Sequence, residues 1–138
     1  MRLYDIQGRL VKKPVDKYLI DWEKKSRSII QFKVKQFLKP FWNTMVIFEE
    51  FPCFGSQLKV DILNATLKIA IEVNGNQHET FNPFFHNNNP ANFLKGIKND
   101  SKKMDWLLKN NFRLFEIYEN EIGLLSKEFF IEKFNFQL

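Results

Sequence analysis

The chain has 138 residues, 44% of them hydrophobic, which suits one compact domain around a single core and calls for no second domain. Its one cysteine, Cys53, excludes an internal disulfide framework, no Cys and His cluster has zinc spacing, and a reducing, cytosolic setting is the expectation. The N-terminal segment lacks a signal-peptide core, no run approaches the roughly 20 apolar residues of a membrane span, and the chain reads as soluble. The net charge of +5 is uneven: residues 1–40 carry 11 Lys/Arg against 4 Asp/Glu, and residues 41–138 carry 10 against 12. That asymmetry fits either a basic arm facing phosphates, with acids gathered elsewhere, or a solvated Lys-rich surface.

Residues 1–15 show no clear period and are punctuated by Gly8 and Pro14, so they read as an extended or poorly ordered basic leader. A short helix is expected between Asp16 and Lys25, and residues 1–27 together form a basic arm or short helix ahead of a domain over 28–138. Ser28 then caps a helix, with Gln31 three residues later, Pro40 at its end, and Ile30, Val34 and Phe37 on one face. Thr44 to Phe51 is a β-rich run, and Pro52 to Ser56 turns the chain into a hairpin of Val60–Leu63 and Leu67–Val73 joined by Asn64-Ala65-Thr66. After His78 comes an asparagine-rich loop, ETFNPFFHNNNP, long for a small domain. Asn89 caps a helix with Pro90 in its first turn, an apolar stripe of Leu94, Ile97, Met104 and Leu108, and Asp100 beside that stripe. Phe112 to Tyr118 alternates like a fourth strand, and Glu119 to Phe136 reads as one closing helix with Leu124, Leu125, Phe129 and Phe130 inward.

The central stretch, KVDILNATLKIAIEVNGNQH, puts one acid in each of two apolar strands. A lone carboxylate there is costly to bury unless a cation or hydrogen-bond donor compensates it. Asp61 and Glu72 lie eleven residues apart across the hairpin and can meet on one face. Asp61 can instead end strand pairing or accept turn hydrogen bonds.

Asp61 followed by Glu72-Val73-Asn74 resembles the Asp and acid-x-Lys elements of the PD-(D/E)xK nuclease superfamily. Glu72 to His78 is similar to the E-x-D-G-x-x-H signature of small phage and bacterial nucleases in that group. Phe93 to Asp100, continuing through Trp106-Leu107 to Phe112-Arg113-Leu114, resembles the helix-strand segment of very-short-patch repair endonucleases and of phage homing endonucleases with an E-D-x-H-D pattern. The resemblance covers about residues 28–122 and implies an α/β, restriction-endonuclease-like core: a mixed central sheet of about four strands flanked by helices. Asn74 stands where the superfamily usually has Lys, and Gln31 falls at the helix glutamate of the related repair enzymes, with Glu49 and Glu50 nearby as substitutes.

The function so implied is metal-dependent hydrolysis of DNA phosphodiesters, by a homing or repair endonuclease working in the cytoplasm, the host's if the gene is phage-borne. Asp61, Glu72 and the Val73 carbonyl are the expected ligands of Mg2+ or Mn2+, the cations that hard oxygen donors favour. His78, with an unperturbed pKa of about 6.5, is expected to take the water's proton or to act through a metal-bound water, and Asp100 to orient His78 or add charge to the metal site. Asp100 can equally pair with Lys98 or Lys103, and Gln31 can simply complete the Ser28 cap. Double-stranded DNA is the expected partner, with phosphate contacts from Lys24, Lys25 and Arg27 and loop contacts from Phe84, Phe85 and Asn88; the alternative is that the phenylalanines fold onto the core. A double-strand break would need a homodimer or sequential nicking. The competing reading is a catalytically inactive DNA-binding or interaction module on the same fold.

Overall fold

A computed structural model describes residues 1–75 and 90–138, with side chains described over 1–75 and 97–138. In chain order it contains β1 (Arg2–Tyr4), β2 (Leu10–Lys12), a 3-10 turn (Asp16–Tyr18), α1 (Ile29–Trp42), β3 (Ile47–Pro52), β4 (Lys59–Asn64) and β5 (Ile69–Asn74). There follow α2 (Pro90–Lys109), β6 (Arg113–Tyr118), a second 3-10 turn (Glu119–Leu124) and α3 (Lys127–Phe134). Strands β3 to β6 form one mixed sheet in sequence order, antiparallel from β3 to β5 and parallel between β5 and β6, where α2 makes the crossover. Helices cover both faces: Val34, Leu38 and Trp42 of α1 and Phe130 of α3 pack on Ile47, Ile62, Ile71 and Phe115. Trp106 and Leu107 of α2 pack on the other face with Phe48, Phe51, Val60 and Leu63. Among the described residues no helix is long and apolar enough to cross a membrane.

The alternation of β3 and β4 breaks at one residue each. Phe48 and Phe51, three apart, share the α2 face, and so do Val60 and Leu63, whereas a regular strand puts such pairs on opposite faces. Partner numbers still advance one for one, so no residue is inserted. The break falls at Glu50, whose φ of 52° is left-handed, and at Asp61, which that register sets opposite it. A bulky residue in this region stores of the order of 1–3 kcal/mol of strain and persists only where its surroundings hold it.

Several expectations need correction. Residues 1–15 form an antiparallel hairpin rather than a loose leader: Asn110, at the end of α2, accepts from the Tyr4 amide (2.7 Å) and donates to its carbonyl (3.1 Å), while Leu3 and Val15 enter the core. Gly55 lets this hairpin close on the sheet, because a Cβ there would lie 2.9 Å from Ile6 and its φ is +91°. The expected helix between Asp16 and Lys25 is a single 3-10 turn. Pro40 does not end α1: the helix continues past it through Phe41 to Trp42, which is buried in the core. Ile97, Met104 and Leu108 of the α2 stripe are exposed, the Leu94 side chain lies outside the described residues, and the inward face carries Lys103, Trp106, Leu107 and Asn110. Trp106, packed against Phe51 and Phe112, and Leu107 complete the core on this side of the sheet, and the helix turns the face that carries them inward. The closing segment breaks at Leu125-Ser126, where the Ser126 hydroxyl accepts from the Phe129 amide (3.0 Å) and starts a new helix, leaving Leu124 exposed.

Candidate functional site

Backbone pairing of β4 with β5 runs to Ile62–Ile71, and the next opposed residues are Asp61 and Glu72. There the carboxylates take over from the ladder carbonyls. The Asp61 amide donates to Glu72 Oε2 (2.9 Å), and the Val73 amide donates to Asp61 Oδ2 (2.8 Å). Each acid thus spends one oxygen on the opposite strand's backbone, which fixes both side chains at the splayed end of the hairpin. The second oxygens face cations: Glu72 Oε1 pairs with Lys103 of α2, and Asp61 Oδ1 lies 3.7 Å from the Arg27 guanidinium.

Both acids are buried. Burial foremost, and the Glu72 carboxylate next, push the Asp61 carboxyl up from 3.8 to about 7, against the opposing effects of the Val73 amide and Lys103. Burial disfavours the Lys103 ammonium, but the adjoining Glu72 and Asp61 outweigh it and hold its pKa above the ordinary value.

A second network lies on the α1 side. The break at Glu50 turns both glutamates of β3 toward α1, where Gln31 Nε2 donates to Glu49 Oε2 (2.9 Å) and Glu50 Oε1 (3.2 Å). Glu49 also accepts from Ser26 Oγ (2.6 Å) and from the fully buried Lys35 ammonium (2.9 Å), which in turn donates to the Lys24 carbonyl (2.7 Å). The Ser28 hydroxyl accepts from the Gln31 amide (3.1 Å), so half of the expected capping box forms while the glutamine side chain serves the glutamates.

The structure thus brings Asp61, Glu72 and Val73 together. Gln31 contacts Glu49 and Glu50 rather than the hairpin acids. Asn74 turns its amide toward Glu116 on β6 (3.4 Å). Asp100 lines the same cleft as Glu72, Asn74, Lys103, Glu116 and Tyr118, and Lys103 pairs with Glu72, not with Asp100. Lys24, Lys25 and Arg27 are exposed on the segment leading into α1. His78, Phe84, Phe85 and Asn88 lie outside the described residues. Sequence reasoning reaches Lys103 only as a helix-surface partner and misses Lys35. The signal for Lys103 is its place three and four residues before Trp106 and Leu107, on the helix face that they bury.

Among the described residues no group of three or more His, Cys, Asp and Glu side chains is arranged to hold a metal ion. No family model matches the chain, and no solved structure matches it. It is 33% identical over 73 residues to an uncharacterised protein, 033L, of Invertebrate iridescent virus 3; the match covers 53% of this chain and 38% of the viral protein.

Proposed function

We propose that the chain is a metal-dependent DNA endonuclease of the restriction-endonuclease-like type, with Asp61 and Glu72 as its metal-holding acids. The observation that carries this reading is the reciprocal anchoring of the two carboxylates, with their remaining oxygens directed at cations at the open end of the hairpin. The element order, with three antiparallel strands and a fourth parallel strand after a helix, agrees with the architecture that the resemblance implies.

The donor set suits Mg2+ or Mn2+, which bind through one or two carboxylates and fill their other positions with water and phosphate. Asp61 Oδ1, Glu72 Oε1 and the Val73 carbonyl would hold the ion. When bound, it supplies a nucleophile at neutral pH and stabilises charge on the phosphate. Lys103 brings beside Glu72 the ammonium that Asn74 cannot supply, so it offsets charge on a phosphate oxygen from the helix rather than from the strand. Arg27 orients the phosphate at the rim. His78, six residues beyond Glu72, takes the proton at an imidazole nitrogen, with Asp100 on α2 as its orienting partner.

The test is supercoiled plasmid incubated with the protein and Mg2+ or Mn2+, beside a chelator control. Nicked or linear DNA is expected with metal only, and Asp61→Asn or Glu72→Gln should lower the rate at least about a hundredfold. Plasmid that is bound but stays intact in every metal would favour the inactive module, for which the two amides, Gln31 and Asn74, already speak.

A further inference from the structure

We infer that the cleft bounded by Arg27, Lys59 and Lys103 seats a phosphodiester of the substrate, and that Arg27 exchanges Asp61 for that phosphate, so DNA and divalent metal bind cooperatively. This rests on the nuclease reading and assigns a step that the reading leaves open. The cleft is lined by Arg27, Glu50, Gln57, Leu58, Lys59 and Lys103, three cations against one carboxylate, and it adjoins Asp61 and Glu72 through Arg27 and Lys103.

The two cations are held very differently. Lys103 is 18% exposed and tightly paired with Glu72. Arg27 is 70% exposed, 3.7 Å from Asp61 and 3.9 Å from Glu50, both beyond hydrogen-bond range. Its backbone, by contrast, is pinned on both sides. Lys35 grips the Lys24 carbonyl, Ser26 bonds to Glu49, and Ser28 caps α1. A fixed backbone carrying a loosely engaged guanidinium lets that group turn to a better partner without refolding. A phosphodiester offers two oxygens to its planar fork, the bidentate geometry that the long contacts to Asp61 and Glu50 lack.

In the free protein Arg27 is the counter-ion of Asp61 Oδ1, the oxygen that the metal requires. Phosphate arriving in the cleft draws Arg27 away and leaves that oxygen to the cation. Linkage then demands that metal favour DNA by the same factor.

Mn2+ uptake, read by paramagnetic resonance of the free ion, tests this with and without a short duplex, the duplex's own uptake being subtracted. In the unsubstituted protein the duplex should tighten Mn2+ binding by roughly fivefold or more. Arg27→Gln should bind Mn2+ several-fold more tightly without DNA, and the enhancement by duplex should shrink to less than about twofold. Lys59→Gln, which touches neither acid, should weaken duplex binding and leave Mn2+ affinity in the free protein unchanged. Melting curves of both variants establish that they fold. Mn2+ binding that is lost in Asp61→Asn but unaltered in Arg27→Gln, with or without duplex, overturns the inference and leaves the nuclease reading standing. Mn2+ binding that is absent, or that survives Asp61→Asn, removes both. Enhancement by inorganic phosphate but not by duplex would make the cleft a free-anion site and also overturn the proposal.

Discussion

Asp61 is 5% exposed and faces a second carboxylate across the hairpin, so the folded protein resists its ionisation. Its pKa is pushed up to about 7 from 3.8. A carboxyl whose folded pKa is raised contributes stability that is fully present below the unfolded value and lost as pH rises through the folded one. Without divalent metal, the protein should therefore lose stability between about pH 4 and pH 7, on the order of 4 kcal/mol. Asp61→Asn should flatten that decline and melt higher than the unsubstituted protein at pH 8, and melting curves across the range decide the matter. A decline of equal size in the variant would assign the pH dependence to another group.

The elements are joined by side chains at the ends that carry the site. Lys35 in α1 is fully buried, and its ammonium joins Glu49 on β3 to the Lys24 carbonyl on the segment that bears Arg27. Removing one member of a buried ion pair leaves the other charge uncompensated, whereas removing both is far less damaging. Lys35→Met should lower unfolding free energy by roughly 3–5 kcal/mol, and Lys35→Met with Glu49→Met clearly less than the sum of the single changes. Denaturant titration of the four proteins measures the coupling; strict additivity would mean that the clamp does not act as a unit.

Across the whole molecule, tertiary contacts decide which basic residues remain for a polyanion. Of the N-terminal cations, Lys35 is buried on Glu49, Arg9 pairs with Asp5 and Lys39 with Glu23. Lys24, Lys25 and Arg27 stay exposed, and Arg27 borders the cleft beside the acids. Neutralising these three should weaken duplex binding alike on all sequences and flatten its salt dependence by about 0.9 for each phosphate that the protein no longer neutralises. Fluorescence anisotropy over a series of KCl concentrations reads the slope; an unchanged slope would mean that other residues hold the phosphates.

The four strands of the main sheet, the Ser28 cap and the opposition of Asp61 to Glu72 follow from local signals: apolar runs, turn residues and an eleven-residue spacing that a tight hairpin converts into a cross-strand pair. What lies opposite those acids does not follow from local signals. Lys103 is thirty-one residues from Glu72, and it turns inward because Trp106 and Leu107 decide which side of α2 is buried. The left-handed Glu50 has no sequence mark, since a glutamate adopts that backbone only where Gln31 and the β3–β4 register jointly hold it. The N-terminal hairpin likewise needs Asn110, more than a hundred residues away, to satisfy Tyr4. Sequence alone determined where the carboxylates stand along the strands, because the turn of a tight hairpin sets which positions oppose one another. Only the tertiary structure decided which cations meet them, because burial is settled by competition among whole faces.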